Sequence, residues 1–187
     1  MTNLKTFACI AASLLLLYFI NTIKIDNKRP IATIVFDDIQ QAPYAPKPIA
    51  QQTKEKVMWC KKDKGCTTLT EAGYYESRGE SDTGVVSVLH TILNRVAHKA
   101  WPNTIKEVVY QNKQFSYTWD GSLKRGMSNT YQVDRMHVLA YDVLHGLVGS
   151  PIGNSTHYHT TKVNPYWVSD VSYVANVGNH IFYKGDR

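Results

Sequence analysis

The chain has 187 residues, 43% of them hydrophobic, enough for one domain with a genuine core and a tail beside it. Its 21 Lys and Arg against 15 Asp and Glu leave a net charge of +6, which suits an anionic partner such as nucleic acid, a membrane surface or an acidic wall polymer. No Lys/Arg run is interleaved with aromatics and no zinc-finger spacing occurs, so nucleic acid is not an expected partner.

The first element is apolar on every side. Residues 7–20 carry no charge, and residues 4–23 together approach the ~20 residues that cross a bilayer. No small-x-small cleavage site follows, so residues 1–29 are expected to be an uncleaved signal anchor in the inner membrane. Lys24, Lys28 and Arg29 outnumber Lys5, a distribution that by itself keeps the following domain in the cytoplasm. The run WCKKDKGC argues the other way, because Cys60 and Cys66 can close a short disulfide loop that persists in an oxidising compartment. The adopted expectation is a domain in the periplasm or extracytoplasmic space. Cys9 lies inside the apolar run and is no candidate nucleophile.

Residues 30–56 read as a linker. Residues 40–56 are rich in Pro, Gln and Ala without an apolar period, the texture of a tether, while the apolar residues 31–36 suggest a short strand.

The domain is expected over residues 57–187. A first helix is predicted over residues 68–77, stopped by Gly79. Ser81 can cap the next, in which Val85, Val88, Leu89, Ile92, Leu93 and Val96 recur at the spacing of one buried face. Glu76 and Glu80 then lie at the junction of two helices. Thr104 and Glu107 form a capping box for a short helix after the Trp101-Pro102 turn. A third helix is predicted over residues 130–145, with Val133, Ala140 and Leu144 inward, Met136 or His137 filling the gap, and Gly146 at its end. Beyond Pro151, the stretches HYHTT, YWVSDVSYV and NHIFYK alternate like two or three short strands joined through Val177, Gly178 and Asn179. Helices followed by a small antiparallel sheet make an α+β domain.

A carboxyl walled in by aromatics can stay protonated near neutral pH and act as a general acid. Glu76 fits this better than Glu80, since Tyr74, Tyr75 and the following helix can enclose it, whereas Glu80 precedes a helix start that favours a negative charge. Glu80 is the candidate second acid. Downstream, Gln114, Ser116, Trp119, Tyr158, His159 and His180 supply the aromatic faces and polar donors that bind sugars. His157 and His159 have strand spacing, and with His180 they are raw material for a three-histidine zinc site. No HExxH run accompanies them, so neither a metal nor any other cofactor is expected.

The strings ESRGES, GVVSVLHTILNRV, WPNTIKEVVYQNKQFSYTWDG and VGNHIFY, in that order, resemble the cell wall hydrolase family typified by the spore-cortex lytic enzyme SleB. The resemblance covers residues 69–183. It implies a lysozyme-like domain that cuts peptidoglycan glycan strands as a lytic transglycosylase, with Glu76 at the position of the family's catalytic glutamate. Ser77 stands where the family usually has alanine, and an apolar segment replaces the spore enzyme's separate wall-binding domain. On this reading Glu76 donates a proton to the glycosidic oxygen, then takes one from the muramoyl C6 hydroxyl, leaving a 1,6-anhydro sugar. A hydrolase would call on a second acid, for which Asp120, Asp134 and Glu80 are the candidates. Cell lysis, as by a phage endolysin, or wall remodelling is the expected role. A zinc amidase or peptidase using the three histidines and a non-enzymatic wall-binding module are the alternatives.

Overall fold

Short polar side chains mark where four of the helices begin in the computed structural model, which describes residues 48–185. In chain order the helices are α1 (Ile49–Cys60), α2 (Lys64–Ser77), α3 (Asp82–Ala97), α4 (Ile105–Val109), α5 (Ser122–Arg125) and α6 (Thr130–Leu144). Asp63 accepts the Cys66 amide at 2.7 Å to start α2, and Ser81 accepts that of Gly84 at 3.3 Å to start α3. Asn129 takes the Gln132 amide at 3.1 Å at the head of α6. At α4, Thr104 accepts the Glu107 amide at 3.2 Å and donates its hydroxyl to the Glu107 carboxylate at 2.7 Å. Each cap satisfies an amide that the first turn leaves free.

Helix α3 is the spine of the core. Val85, Val88, Leu89 and Ile92 are all fully buried, Val85, Leu89 and Ile92 in one core with Leu69 and Ala72 of α2 and Met136 and Ala140 of α6, and Val88 in a second. Burying four such side chains contributes on the order of 6–12 kcal/mol before chain entropy is set against it. Helices α2 and α6 approach closely at Gly73, where an added Cβ would lie 3.1 Å from the Met136 sulfur. Met136 and His137 are both buried, so both fill the gap on the inner side of α6.

The sheet has β3 (His180–Lys184) between β1 (His157–Thr160) and β2 (Ser172–Val177), antiparallel to both. Its register pairs Tyr158 with Phe182 and Thr160 with His180 on one face, and His157 with Tyr183 and His159 with Ile181 on the other. Phe182, Val88 and Ile152 form a second small core that joins the sheet to α3, and Tyr158 packs against both cores. The end of α3 holds the loop that leads into β1. Asn94 donates to the carbonyls of Gly153 and Ser155, each at 2.8 Å, and Arg95 Nε to that of Thr156 at 2.7 Å.

Three expectations change. Residues 49–56, read as tether, are helical, because α1 docks on α6: Val57 and Cys60 are buried, Trp59 packs on Tyr141 and His145, and Lys56 pairs with Asp142 at 2.6 Å. Helix α2 starts at Lys64 rather than residue 68, since Asp63 caps it. The segment YWVSD is a 3₁₀ turn, Tyr166–Asp170, and the strand begins only at Ser172. Cys60 and Cys66 are joined as a disulfide, with a Cα–Cα distance of 5.1 Å. Among the described residues no helix is long and apolar enough to cross a membrane. The expected anchor, the apolar stretch 31–36 and the first part of the linker lie outside the described residues.

Candidate active site

Glu76 sits in the last turn of α2, where the exposed carbonyls of the helix end disfavour a negative charge. The side chain is half-buried, and the Tyr158 hydroxyl donates to its Oε2 at 3.3 Å from β1. Burial is the main force on the carboxyl and pushes its pKa above the ordinary 4.5. The Tyr158 bond opposes that push, the Asp120 charge adds to it, and the Arg95 charge opposes it again. The neighbouring Ser77 is buried and donates to the Gly73 carbonyl at 3.1 Å, so the hydroxyl is absorbed within the helix.

Arg95 lies behind this pair. Its guanidinium is buried, 4.2 Å from the Trp101 ring centroid and 5.6 Å from that of Phe115, with Nε committed to the Thr156 carbonyl. Burial pulls its pKa down to about 10, against the opposite pull of Tyr158 and Glu76. A buried cation facing a phenol and a carboxyl keeps the carboxylate form within reach after a proton has been given away.

Two cavities are lined by residues that act on the Glu76 carboxyl, though Glu76 itself lines neither. One, of about 530 Å³, is lined by Tyr158, Arg95, Trp101, Tyr166 and Trp167 together with Lys113, Gln114 and His157. The other, of about 350 Å³, is lined by Ser116 and Asp120, with Tyr74, Tyr75, Arg78 and Arg125 among its walls. Tyr158, which bonds Glu76, belongs to the first; Asp120, whose charge acts on Glu76, belongs to the second. The carboxyl is thus linked by a hydrogen bond to the wall of an aromatic cleft and by charge to the wall of a more polar one.

The other expected residues divide. Gln114 and Ser116 are exposed and line one cavity each. Trp119 is 65% exposed and lines neither. His159 is buried on the far face of the sheet, its ring bonded to the Tyr183 hydroxyl at 3.0 Å and the Thr160 carbonyl at 2.8 Å. His180 is buried behind Tyr158, edge-on to its ring at 5.3 Å, and burial lowers its pKa. Neither imidazole lines either cavity. The sheet register also places His180 on the opposite face from His157 and His159, so the three do not converge. Among the described residues no group of three or more His, Cys, Asp or Glu side chains is placed to hold a metal ion.

Glu80 faces the sheet. Its carboxylate accepts the Asn179 amide at 3.2 Å and the Asn179 side chain at 2.8 Å, tying the head of α3 to the turn between β2 and β3. Asp134 pairs with Lys61 at 3.7 Å. Asp120 accepts the Ser122 amide at 2.7 Å. Of the cleft residues not singled out from sequence, Trp101 and Tyr166 each lie beside a proline in a polar stretch, the one signal that marks an aromatic as loop-borne rather than core.

The family model described as Cell Wall Hydrolase matches residues 79–183, beginning just past Glu76. The spore cortex-lytic enzyme of Bacillus cereus is 30% identical over 117 residues, which are 62% of this chain and 42% of that protein. The spore cortex-lytic enzyme of Bacillus subtilis (strain 168) is 29% identical over 116 residues, 61% of this chain and 35% of that protein. The chain therefore spans less than half the length of these curated relatives. The catalytic domain of the germination-specific lytic transglycosylase SleB from Bacillus anthracis matches with a TM-score of 0.54 and 29% identity, over 65% of this chain and 96% of that one. The catalytic domain of the Bacillus cereus SleB protein matches with a TM-score of 0.54 and 30% identity, over 64% and 89%. With its fold shared with these catalytic domains and more than half of its length matched by the family model, the chain belongs to the Cell Wall Hydrolase family.

Proposed function

We propose that this protein cleaves the glycan strands of peptidoglycan as a lytic transglycosylase, through a lysozyme-like domain in which Glu76 is the acid and then the base. The observation that carries the reading is a half-buried carboxyl, raised in pKa by burial and hydrogen-bonded by Tyr158, which lines an aromatic cleft. Protonated, Glu76 gives its proton to the glycosidic oxygen as the bond to the muramoyl C1 breaks. The resulting carboxylate, with the Tyr158 hydroxyl and the Arg95 charge beside it, takes the proton of the muramoyl C6 hydroxyl as that oxygen closes on C1. The leaving sugar keeps the first proton, and the muramoyl end becomes a 1,6-anhydro ring.

A second carboxylate would be used to hold water for hydrolysis. Glu80 is tied to Asn179 and Asp134 is paired with Lys61. Among the described residues Asp120 is the carboxylate whose charge acts on Glu76, and its Oδ1 is held by the Ser122 amide. This supports one working carboxyl rather than two.

Digestion of purified sacculi by the wild type and by Glu76→Gln, read by mass spectrometry, tests the reading. The wild type is expected to release anhydro-muropeptides, and Glu76→Gln ~10³-fold less, since a general acid contributes about 10²–10⁴-fold. Reducing-end products would replace transglycosylation with hydrolysis. An undiminished Glu76→Gln would remove Glu76 from the mechanism.

The Cys60–Cys66 disulfide supports an oxidising compartment, and the uncharged residues 7–20 support a membrane tether. A tethered wall-cutting enzyme serves cell lysis or wall remodelling. The full chain is expected to stay with membranes after alkaline extraction, and its release into the soluble fraction would refute the tether.

A further inference from the structure

The cavity walled by Asp120 and the one walled by Tyr158 differ in what they can grip. In the smaller one the aromatic faces are already occupied: Tyr75 stacks on Tyr117 at 4.8 Å with 15° between the rings, and the Arg78 guanidinium sits 4.9 Å over the Tyr74 ring. What this cavity offers is two guanidiniums. Arg78 donates one bond, to the Tyr74 carbonyl at 3.2 Å, and Arg125 one, to the Ser122 hydroxyl at 2.6 Å. Neither forms an ion pair with a described carboxylate. Against these two cations the wall holds one acid, Asp120, whose Oδ1 accepts the Ser122 amide and whose carboxyl Arg125 helps to hold below its usual range, so the cavity keeps a net positive charge. The larger cavity carries more indole surface and one open ring: Trp167 and Trp101 are in its wall, the latter with Arg95 over one face, and Tyr166 is 92% exposed. Sugar rings stack on flat apolar faces, whereas a planar fork of N–H groups matches a carboxylate.

We propose that the Arg78–Arg125 cavity is a binding site for the carboxylates of the peptide stem, while the glycan itself follows the aromatic cleft past Glu76. This rests on the glycan-cleaving reading and adds to it a substrate class: strands that still carry acidic stems. A stem hangs from the lactyl group of the muramoyl sugar, so a grip on it beside Glu76 selects which sugar presents its C1 and C6 to the carboxyl. The preference for stem-bearing strands is therefore built into the same groove that performs the cleavage. It also sets the direction in which a strand lies across the site.

The test uses the full chain carrying Glu76→Gln, so that binding is read without turnover. Its affinity is measured by calorimetry at low salt for an N-acetylmuramoyl-tetrapeptide with free carboxylates and for the same compound with those carboxylates amidated. The free acid is expected to bind about tenfold more tightly, as two charge-assisted contacts in a partly enclosed site allow. That preference is expected to vanish when Arg78→Gln and Arg125→Gln are added, and to survive in reduced form with Arg78→Lys and Arg125→Lys, which keep the charge and lose the fork. It should also shrink as salt is raised. Equal affinity for the two compounds, or an unchanged preference in the double Gln variant, overturns the proposal. A failure of the cleavage reading would appear separately, as sacculus digestion that survives Glu76→Gln.

Discussion

Replacing Glu80 by alanine tests whether its carboxylate serves the fold or the cleavage. The carboxylate accepts two hydrogen bonds from Asn179, at 3.2 and 2.8 Å, and so pins the β2–β3 turn to the head of α3. Two bonds to a charged acceptor, discounted because the site is partly solvated, contribute about 1–2 kcal/mol together. For a domain of this size that corresponds to a melting temperature lower by about 3–7 °C. The Asn179 side-chain bond, with its backbone amide behind it, holds the Glu80 carboxyl below its ordinary 4.5 against the opposing effect of burial. A carboxyl whose pKa is lower folded than unfolded stabilises fully above the unfolded value and loses that contribution as pH falls through the folded one. The difference in melting temperature between wild type and Glu80→Ala should therefore be largest near neutral pH and close below pH 4.5. Thermal unfolding followed by circular dichroism at several pH values measures this. Sacculus digestion at about 25 °C should stay within about threefold of wild type, far from the loss expected of a general acid. A Glu80→Ala protein that melts normally and cleaves nothing would refute the reasoning and make Glu80 the second acid.

In Tyr158→Phe the bond that lowers the Glu76 pKa is gone while burial remains, so the carboxyl stays protonated to higher pH. Because the first step needs the protonated form, the basic limb of the kcat/KM profile should move to higher pH; a stationary limb would dissociate Tyr158 from Glu76. Replacing Cys60 and Cys66 by alanine opens a loop six residues in span and should cost about 2 kcal/mol, or roughly 5–8 °C in melting temperature, with dithiothreitol producing the same loss in wild type. In Gly178→Ala the new Cβ would run into Glu80 Oε2, at a backbone φ of +58° that costs a non-glycine residue about 1–2 kcal/mol. Combined with Glu80→Ala, its loss should fall short of the sum of the two, since the collision disappears with the carboxylate; strict additivity would refute that contact.

Local rules were enough for much of the fold. Val85, Val88, Leu89 and Ile92 repeat at helical spacing and line one buried face, and Ser81 and Thr104 cap the helices they precede, because periodicity and capping act within a few residues. Helix α1 escapes such rules. Its sequence has little apolar period, and its place depends on Tyr141, Asp142 and His145, remote in sequence, which pack on Trp59 and pair with Lys56. The turn at Tyr166–Asp170 escapes them too, since β-branched and aromatic residues mark strand only where a neighbour strand exists to pair with.

The family resemblance, the order of helices before sheet and the location of two glutamates at one helix junction rest on residue identities and short spacings, so all three were legible along the chain. The preference for Glu76 over Glu80 was also legible there, but the partners of each came only with the packed fold. Glu76 and Glu80 stand four residues apart, yet one accepts a bond from Tyr158 and lies within the influence of the Asp120 charge, while the other accepts from Asn179 at a turn. The same holds for the histidines, where the pairing of β1 with β3 sends His157 and His159 to one face and His180 to the other. A side chain's pKa and partners come from groups distant along the chain, and those become neighbours only when helices pack and strands take their register.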